Sequence, residues 1–179
     1  TLGHRRIGFI CGNPNLTASA RRYEGFRAAL EAVGVPFDEE LVAPGIYTYR
    51  SGLDAAERLL DLAEPPTAIL ASNDDMAAGV LAVAHGRGLD LPKQLSVAGF
   101  DDTTLARTVW PPLTTIRQPV AEMANQAAIQ ADEYIKNGKA SKSEKQSIDM
   151  VLSLSKSGYA SLASGFDRSA TSLYSTNDL

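Results

Sequence analysis

The 179-residue chain has few of the side chains on which most catalytic and metal sites depend. It contains one cysteine, Cys11, so neither an internal disulfide nor a cysteine-based zinc cluster can form. Its two histidines are His4, before the first predicted strand, and His85, inside a predicted helix. Gly-x-Ser-x-Gly elbows, Gly-Lys-Ser/Thr phosphate loops and Gly-x-Gly-x-x-Gly turns are absent from the sequence. These absences argue against an enzyme, and they predict no catalytic residue, no metal site and no cofactor.

The sequence also lacks a positive charge balance and a long hydrophobic run. Its net charge is −4, which argues against a chain that itself grips nucleic acid. No apolar run approaches the roughly 20 residues that cross a bilayer, so no membrane partner is expected. With 44% hydrophobic and 21% charged residues, the composition is that of a globular domain, and we expect it to be cytoplasmic. The first residue is Thr1 and not methionine, which suggests a piece of a longer protein.

Short apolar runs alternate with stretches of helical periodicity over the first hundred residues. The runs carry apolar and small residues continuously, as expected of strands that are covered on both faces. Strand–helix–strand spacing of this kind predicts an α/β fold with a doubly wound parallel sheet. The predicted strands are Ile7–Cys11, Glu40–Ala43, Thr67–Ala71 and Leu95–Phe100.

The pattern loosens after residue 101. We predict a short strand at residues 113–116, a helix that has Pro119 at its first position and ends at Asn137-Gly138, and one more strand within residues 148–154. Residues 155–179 are rich in serine and threonine and are predicted to form a flexible tail. The predicted organisation is therefore a lobe at 1–118, a returning helix and strand at 119–154, and the tail.

Ligands of open parallel sheets bind beyond the carboxyl ends of the strands, so the residues that follow each strand are the candidates for a site. They include Arg22, Tyr47, Asn73 and Asp101. Together they offer a guanidinium, an aromatic face, an amide and a carboxylate, which suits a sugar or a nucleoside.

Each candidate also has an ordinary structural interpretation. Asn73 or Asp74 could be a helix N-cap, and the pair Asp101-Asp102 could cap a turn. Arg22 could be a solvated arginine, and Tyr47 a rim aromatic without a partner. Asp101 and Asp102 could form an acid–base pair, but consecutive residues of an extended segment point to opposite sides.

Four segments resemble the effector-binding core of the LacI/GalR family of bacterial transcriptional regulators, in order and spacing. They are Leu2 to Ile10 (LGHRRIGFI), Arg22 to Phe26 (RYEGF), Ser72 to Gly79 (SNDDMAAG) and Ser96 to Asp102 (SVAGFDD), and Pro111 to Pro119 (PPLTTIRQP) follows in the same order. The likeness covers roughly residues 2–138. It implies one lobe of a two-lobed core that resembles periplasmic binding proteins.

The resemblance assigns expected roles to several residues. Arg22, Asn73 and Asp101 would hydrogen-bond a sugar or nucleoside-like effector, and Tyr47 would stack on it. Gln118 would lie at the lobe junction and contact the effector or the hinge.

The same resemblance implies a homodimer and an allosteric DNA-binding regulator, a repressor, in which operator DNA is contacted only through an N-terminal head that this chain lacks. The expected dimer interface is formed by Val80, Leu81, Ala84, Val109 and Trp110. Trp110 could instead be a core residue. The returning helix would lack its usual packing partner, and it is expected to dock elsewhere, on a second copy of the chain.

Two other functions stay open at this point. A periplasmic sugar-binding component of a transporter shares the two-lobed fold. A small α/β enzyme is the third possibility, and it would need a catalytic carboxylate or cofactor in the crevice.

Overall fold

The computed structural model describes residues 2–138 of the chain. The chain divides into two compact units, Thr1–Gln118 and Pro119–Leu179. In the first unit the strands are β1 (Ile7–Ile10), β2 (Val42–Ala43), β3 (Ala68–Ala71) and β4 (Ser96–Ala98). Its helices are α1 (Thr17–Ala32), α2 (Tyr49–Leu60), α3 (Asp74–Gly86) and α4 (Thr104–Thr108), and α5 (Val120–Lys136) belongs to the second unit.

The four strands form one parallel sheet in the order β2-β1-β3-β4. In register, Phe9 pairs with Val42 and with Leu70, and Leu70 pairs with Ala98. Because β1 lies inside the sheet and the chain continues to either side of it, this is the predicted doubly wound α/β fold, and the prediction is confirmed.

Apolar side chains from alternate strand positions form two cores, one on each face of the sheet. The core under α2 and α3 includes Ile10, Leu59, Ile69, Val80 and Leu95. The core under α1 contains Phe9, Phe26, Leu30 and Val35, and the rings of Phe9 and Phe26 stack with centroids 4.7 Å apart. Burial on both faces explains why the strands read as continuous apolar runs.

Glycine allows α2 and α3 to approach each other closely. A Cβ atom at Gly52 would collide with the Met76 backbone, and one at Gly79 would lie 2.7 Å from the Tyr49 carbonyl oxygen. The two helices therefore pack backbone against backbone.

Several predicted elements differ in the structure. Residues 39–41 form a 3₁₀ helix, so the predicted strand Glu40–Ala43 is reduced to two residues. The predicted strand at 113–116 is wrong: Thr114 and Arg117 make only isolated parallel bridges, to Ala98 and Asp101. A strand cannot continue there because Asp101 and Asp102 have φ of +115° and +53°, which turns the chain out of the sheet.

The second unit is described as far as residue 138. Pro119 is the N-cap of α5 and not its first helical residue, and the helix ends at Lys136, one residue before Asn137-Gly138. The predicted strand at 148–154 and the predicted tail at 155–179 lie outside the described residues. Within residues 2–138, no helix combines the length and the apolar character that crossing a membrane requires.

Candidate functional site

Arg22 is the centre of a cluster at the carboxyl edge of the sheet. It lies in the second turn of α1, and its side chain is 18% exposed. Its Nη1 donates a 2.6 Å hydrogen bond to the carbonyl oxygen of Ser72, just after β3, and its Nη2 lies 3.4 Å from Oδ1 of Asp101. Arg22 is therefore fixed between two strand ends and is not a solvated arginine.

Two aromatic rings flank the same guanidinium. Its Cζ lies 4.0 Å from the ring centroid of Phe100 and 5.6 Å from that of Tyr47, both within the range of cation–π attraction. These contacts fix the orientation of the guanidinium, so its remaining N–H donors point in fixed directions. Donors arranged in this way can bind vicinal hydroxyls or ring heteroatoms of a ligand.

Asp101 faces Arg22 and also accepts a hydrogen bond from Nε2 of Gln118 at Oδ1. Burial raises the pKa of Asp101 above its ordinary value, and the negative charges of Asp74 and Asp75 act in the same direction, whereas Gln118 and Arg22 oppose them. The side chain keeps 26% of its surface exposed, so it is available to a ligand hydroxyl. The structure thus brings the predicted residues Arg22, Asp101 and Gln118 together.

Tyr47 lies beside them on the segment between β2 and α2, with φ of +66°. Its hydroxyl shares a 2.7 Å hydrogen bond with the buried Ser19 of α1. A Cβ atom at Gly12 would collide with the Tyr47 ring, so glycine two residues after β1 allows the ring to lie there. Tyr47 is therefore a packed part of the cluster and not an isolated rim aromatic.

Asn73 is the N-cap of α3, and capping was one of its two predicted roles, the other being a ligand contact. Its Oδ1 accepts from the Met76 amide at 3.0 Å, and its Nδ2 donates to the Tyr47 carbonyl oxygen at 3.1 Å. The residue is 6% exposed. Its side chain supports the turn that carries Tyr47, and a ligand contact from Asn73 stays a prediction.

Asp102 binds different partners from Asp101. Its carboxylate binds Arg117 and, at 3.2 Å, Arg107. The hydrogen bonds from Arg117 and Arg107 lower the pKa of Asp102 below its ordinary value. The two aspartates therefore do not form an acid–base pair.

The two histidines and the cysteine take no part in this cluster. His4 bonds Thr67 and Ser96 at the amino ends of β3 and β4, at the opposite edge of the sheet. His85 contacts the Trp110 carbonyl oxygen. Burial raises the pKa of Cys11, which packs beside the core under α1. Within residues 2–138, no group of three or more metal-ligating side chains is assembled.

The residues of the predicted dimer surface differ in their burial. Val80 and Ala84 are 0% exposed and belong to the core between α3 and the sheet, and Leu81 is also buried. Val80 and Ala84 therefore offer little surface to a second chain, whereas Leu81 lines a small cavity beside Pro111. An interface formed by the five predicted residues stays a prediction. Trp110 is 78% exposed, which excludes the core interpretation, and Val109 is half-buried.

Sequence reasoning missed two residues of the cluster. Phe100 lies two residues after β4, and an aromatic residue at the end of the predicted strand Leu95–Phe100 could have indicated it. Asp74 has 0% exposure and accepts hydrogen bonds from Thr103 and Thr115. Nothing local marks it as different from a capping residue, because its partners lie 29 and 41 residues further along the chain.

The chain is similar to known proteins. A model of the periplasmic binding protein-like domain matches residues 1–154. The HTH-type regulator DegA of Bacillus subtilis is 44% identical over 69% of this chain, and the HTH-type repressor CytR of Escherichia coli is 40% identical over 71% of it. The chain spans only 36% and 37% of those two relatives.

A solved structure described as the CelR–cellobiose complex superposes with a TM-score of 0.73 at 37% identity, and the match covers 78% of this chain and 42% of that one. The relatives carry the names of transcriptional regulators and not of enzymes. The strand order, the matched domain and these identities agree: the chain belongs to the LacI/GalR family of transcriptional regulators, as part of their periplasmic binding protein-like core.

Proposed function

We propose that this chain is the effector-sensing part of a LacI/GalR-type transcriptional repressor, and that it binds a small sugar or nucleoside-like ligand at the carboxyl edge of the sheet. The observation that carries the proposal is the hydrogen-bonded cluster of Arg22, Asp101 and Gln118, in which the Arg22 guanidinium also lies near the rings of Tyr47 and Phe100. It combines paired polar donors and acceptors with aromatic faces, which is the usual composition of a sugar or nucleoside site. The cellobiose named in the structure of CelR supports the sugar class.

In this proposal Arg22 and Asp101 bond neighbouring ligand hydroxyls, Tyr47 stacks against the ligand, and Gln118 and Asn73 add amide contacts. Arg22 and Asp101 already pair with each other, so a ligand must insert between them or share their free donor and acceptor atoms. In either case the ligand binds most tightly when further groups of the protein close over it. A ligand that binds one conformation of the protein more tightly shifts the population toward that conformation. That differential contact is the basis of the proposed allosteric signal.

Operator DNA, in the same proposal, is contacted by a helix-turn-helix head outside this chain. Two observations support this division: the relatives named HTH-type regulators are about three times as long as the matched segment, and this chain carries a net charge of −4. A DNA-binding regulator acts in the cytoplasm, so we assign the protein to that compartment. We further propose a homodimer that uses the exposed Trp110 with Val109.

Thermal denaturation with a ligand panel tests the proposal. The full-length protein would be melted with cellobiose, glucose, ribose, cytidine and adenosine, each at saturating concentration. A ligand at about 100 times its Kd stabilises the folded state by about 2.7 kcal/mol, which is several degrees in Tm for a domain of this size. We expect at least one compound to raise Tm.

Two arginines on α1 give a matched pair of variants. Arg22→Ala should abolish the ligand-induced rise in Tm, whereas Arg21→Ala, next to it and exposed, should keep it. An equal rise in both variants would place binding elsewhere. If none of the five compounds raised Tm, the sugar or nucleoside class would be wrong.

A further inference from the structure

Asp74, the first residue of α3, is a fully buried carboxylate that the proposed ligand contacts do not use. Its Oδ2 accepts from the Thr103 amide at 2.7 Å and from the Thr103 hydroxyl at 3.0 Å. Its Oδ1 accepts from the Thr115 hydroxyl at 2.5 Å. The carboxylate is therefore satisfied by two segments that lie far from it in sequence.

These bonds do not serve the capping of α3. Asn73 already caps the helix by accepting from the Met76 amide. Asp74 instead reaches outward to the turn that follows β4, and Gly99 leaves room for it, since a Cβ atom there would lie 2.5 Å from Asp74 Oδ1. A buried charge with this set of donors has a positional role toward the turn.

Thr115 extends the contact to a second peptide group of the turn. Its Oγ1 donates to Asp74 and accepts from the Asp102 amide at 3.3 Å. The amides of Asp102 and Thr103 are thus both tied to Asp74, one through Thr115 and one directly. These are the two peptide groups that directly follow Asp101.

The same turn has an unfavourable backbone conformation. Asp101 and Asp102 both have positive φ, a region that side chains other than glycine occupy at a cost in free energy. Such a conformation persists when surrounding bonds hold it, and here the bonds come from Asp74 and Thr115. The turn in turn directs Asp101 toward Arg22 and Gln118.

We propose that Asp74, acting through Thr115 and Thr103, is a positioning residue that holds the turn after β4 and so sets the orientation of Asp101 in the candidate site. Its effect on ligand binding rests on the function proposed above. Its effect on Asp101 does not, and can be measured without a ligand.

Two substitutions at Thr115 separate the hydroxyl from the volume of the side chain. Thr115→Val removes the hydroxyl at nearly constant shape and changes no charge, whereas Thr115→Ser keeps the hydroxyl. In the full 179-residue chain, NMR would follow the titration of the Asp101 carboxyl and the hydrogen exchange of the Asp102 amide.

In Thr115→Val we expect the Asp102 amide to exchange on the order of tenfold faster, as for the loss of one hydrogen bond. The pKa of Asp101 should fall toward its ordinary value as the loosened turn exposes the carboxyl to water. Thr115→Ser should behave like the wild type in both measurements. An unchanged Asp101 titration and Asp102 exchange in a folded Thr115→Val variant would overturn the proposal.

If Thr115→Val does not fold, Thr103→Val serves in its place. It removes one of the two bonds from Thr103 to Asp74 and keeps the amide bond, so it should shift the Asp101 titration in the same direction by a smaller amount. An Asp101 titration identical to the wild type would then contradict the proposal.

The ligand panel distinguishes this proposal from the function on which it partly rests. If a panel compound raises Tm of the full-length wild type, its Kd should rise about tenfold in Thr115→Val and stay within about twofold in Thr115→Ser. An unchanged Kd in Thr115→Val would overturn the link between the turn and the ligand. Failure of all five compounds with the wild type would contradict the proposed function alone, because the NMR measurements would still decide the position of Asp101.

Discussion

Asp101 and Asp102 are neighbours in one turn and have opposite electrostatic surroundings. Asp101 is partly buried, and burial raises its pKa. Asp102 is bound by Arg117 and Arg107, and these bonds lower its pKa. One residue position therefore separates a carboxyl whose pKa is raised by folding from one whose pKa is lowered.

The two residues should change stability with pH in opposite directions. A lowered pKa stabilises the folded state when the pH is above the ordinary pKa of the group, and this stabilisation is lost as the pH falls through the lowered pKa. Asp102→Asn should therefore destabilise the protein slightly at neutral pH and not in strong acid. A raised pKa stabilises the folded state when the pH is below the ordinary pKa of the group, and this stabilisation is lost as the pH rises through the raised pKa. Asp101→Asn should therefore gain stability relative to the wild type as the pH rises. Urea denaturation between about pH 3 and pH 7 measures both, and trends of the same sign would contradict the assignment.

At the residue scale, what the sequence could predict was the convergence of side chains that follow parallel strands. Arg22, Tyr47 and Asp101 come together because the carboxyl ends of such strands share one edge. The role of Asp74 could not be predicted, since it depends on two hydroxyls that only the folded chain brings near. The burial of Val80 and Ala84 was missed for a related reason: an apolar helix stripe does not show which neighbour covers it.

At the scale of elements, the close contact between α2 and α3 depends on glycines, which have no side chain, more than on large apolar residues. Gly52 of α2 lies against the backbone of Met76, and Gly79 of α3 lies against that of Tyr49. Since α3 begins at the Asn73 cap and carries Asp74, its position also fixes the support of the candidate site.

Two glycine substitutions test this packing. Gly52→Ala would place a Cβ against the Met76 backbone and should lower the free energy of unfolding by about 1–3 kcal/mol, as expected of overpacking. Gly25→Ala, in the middle of α1 with no atom within 4 Å of the new Cβ, should raise it by about 0.5–1 kcal/mol through helix propensity. Urea denaturation checks both values. Equal effects of the two substitutions would show that α2 and α3 can move apart at no cost.

Helices were easier to predict than strands. The apolar periodicity of α2 and α3 is a local signal, and both helices lie in the stretches of helical periodicity that the sequence shows between the predicted strands. Residues 40–43 and 113–116 were both predicted to be strands, yet the first segment is half 3₁₀ helix and the second makes only single bridges. Pairing along a strand depends on the partner, and the partner of residues 113–116 leaves the sheet at Asp101.

At the scale of the whole molecule, the proposed homodimer would use the apolar surface around Trp110. The Trp110 side chain is exposed beside a cavity of about 140 Å³ whose lining includes Leu81, Pro111 and Leu113. An exposed aromatic next to an apolar cavity is a common arrangement at protein interfaces.

Sedimentation of the full-length protein over a concentration series tests the proposed dimer. If Trp110 is an interface anchor worth about 2 kcal/mol, Trp110→Ala should raise the dimer Kd roughly 30-fold. Val33→Ala, which removes an apolar side chain that is 64% exposed at the end of α1, should leave it unchanged. The same Kd in both variants would remove Trp110 from the interface.

The shortness of the outer strands has a further consequence for how copies of this chain meet. β2 has two residues and β4 has three, and within residues 2–138 the outer side of β4 makes a single isolated bridge, from Ala98 to Thr114. An edge of this length offers few free amides and carbonyls for a strand of another molecule, which protects against fibre-like stacking. In the proposed homodimer, the contact between copies would then be made by surface side chains, which single substitutions can strengthen or weaken.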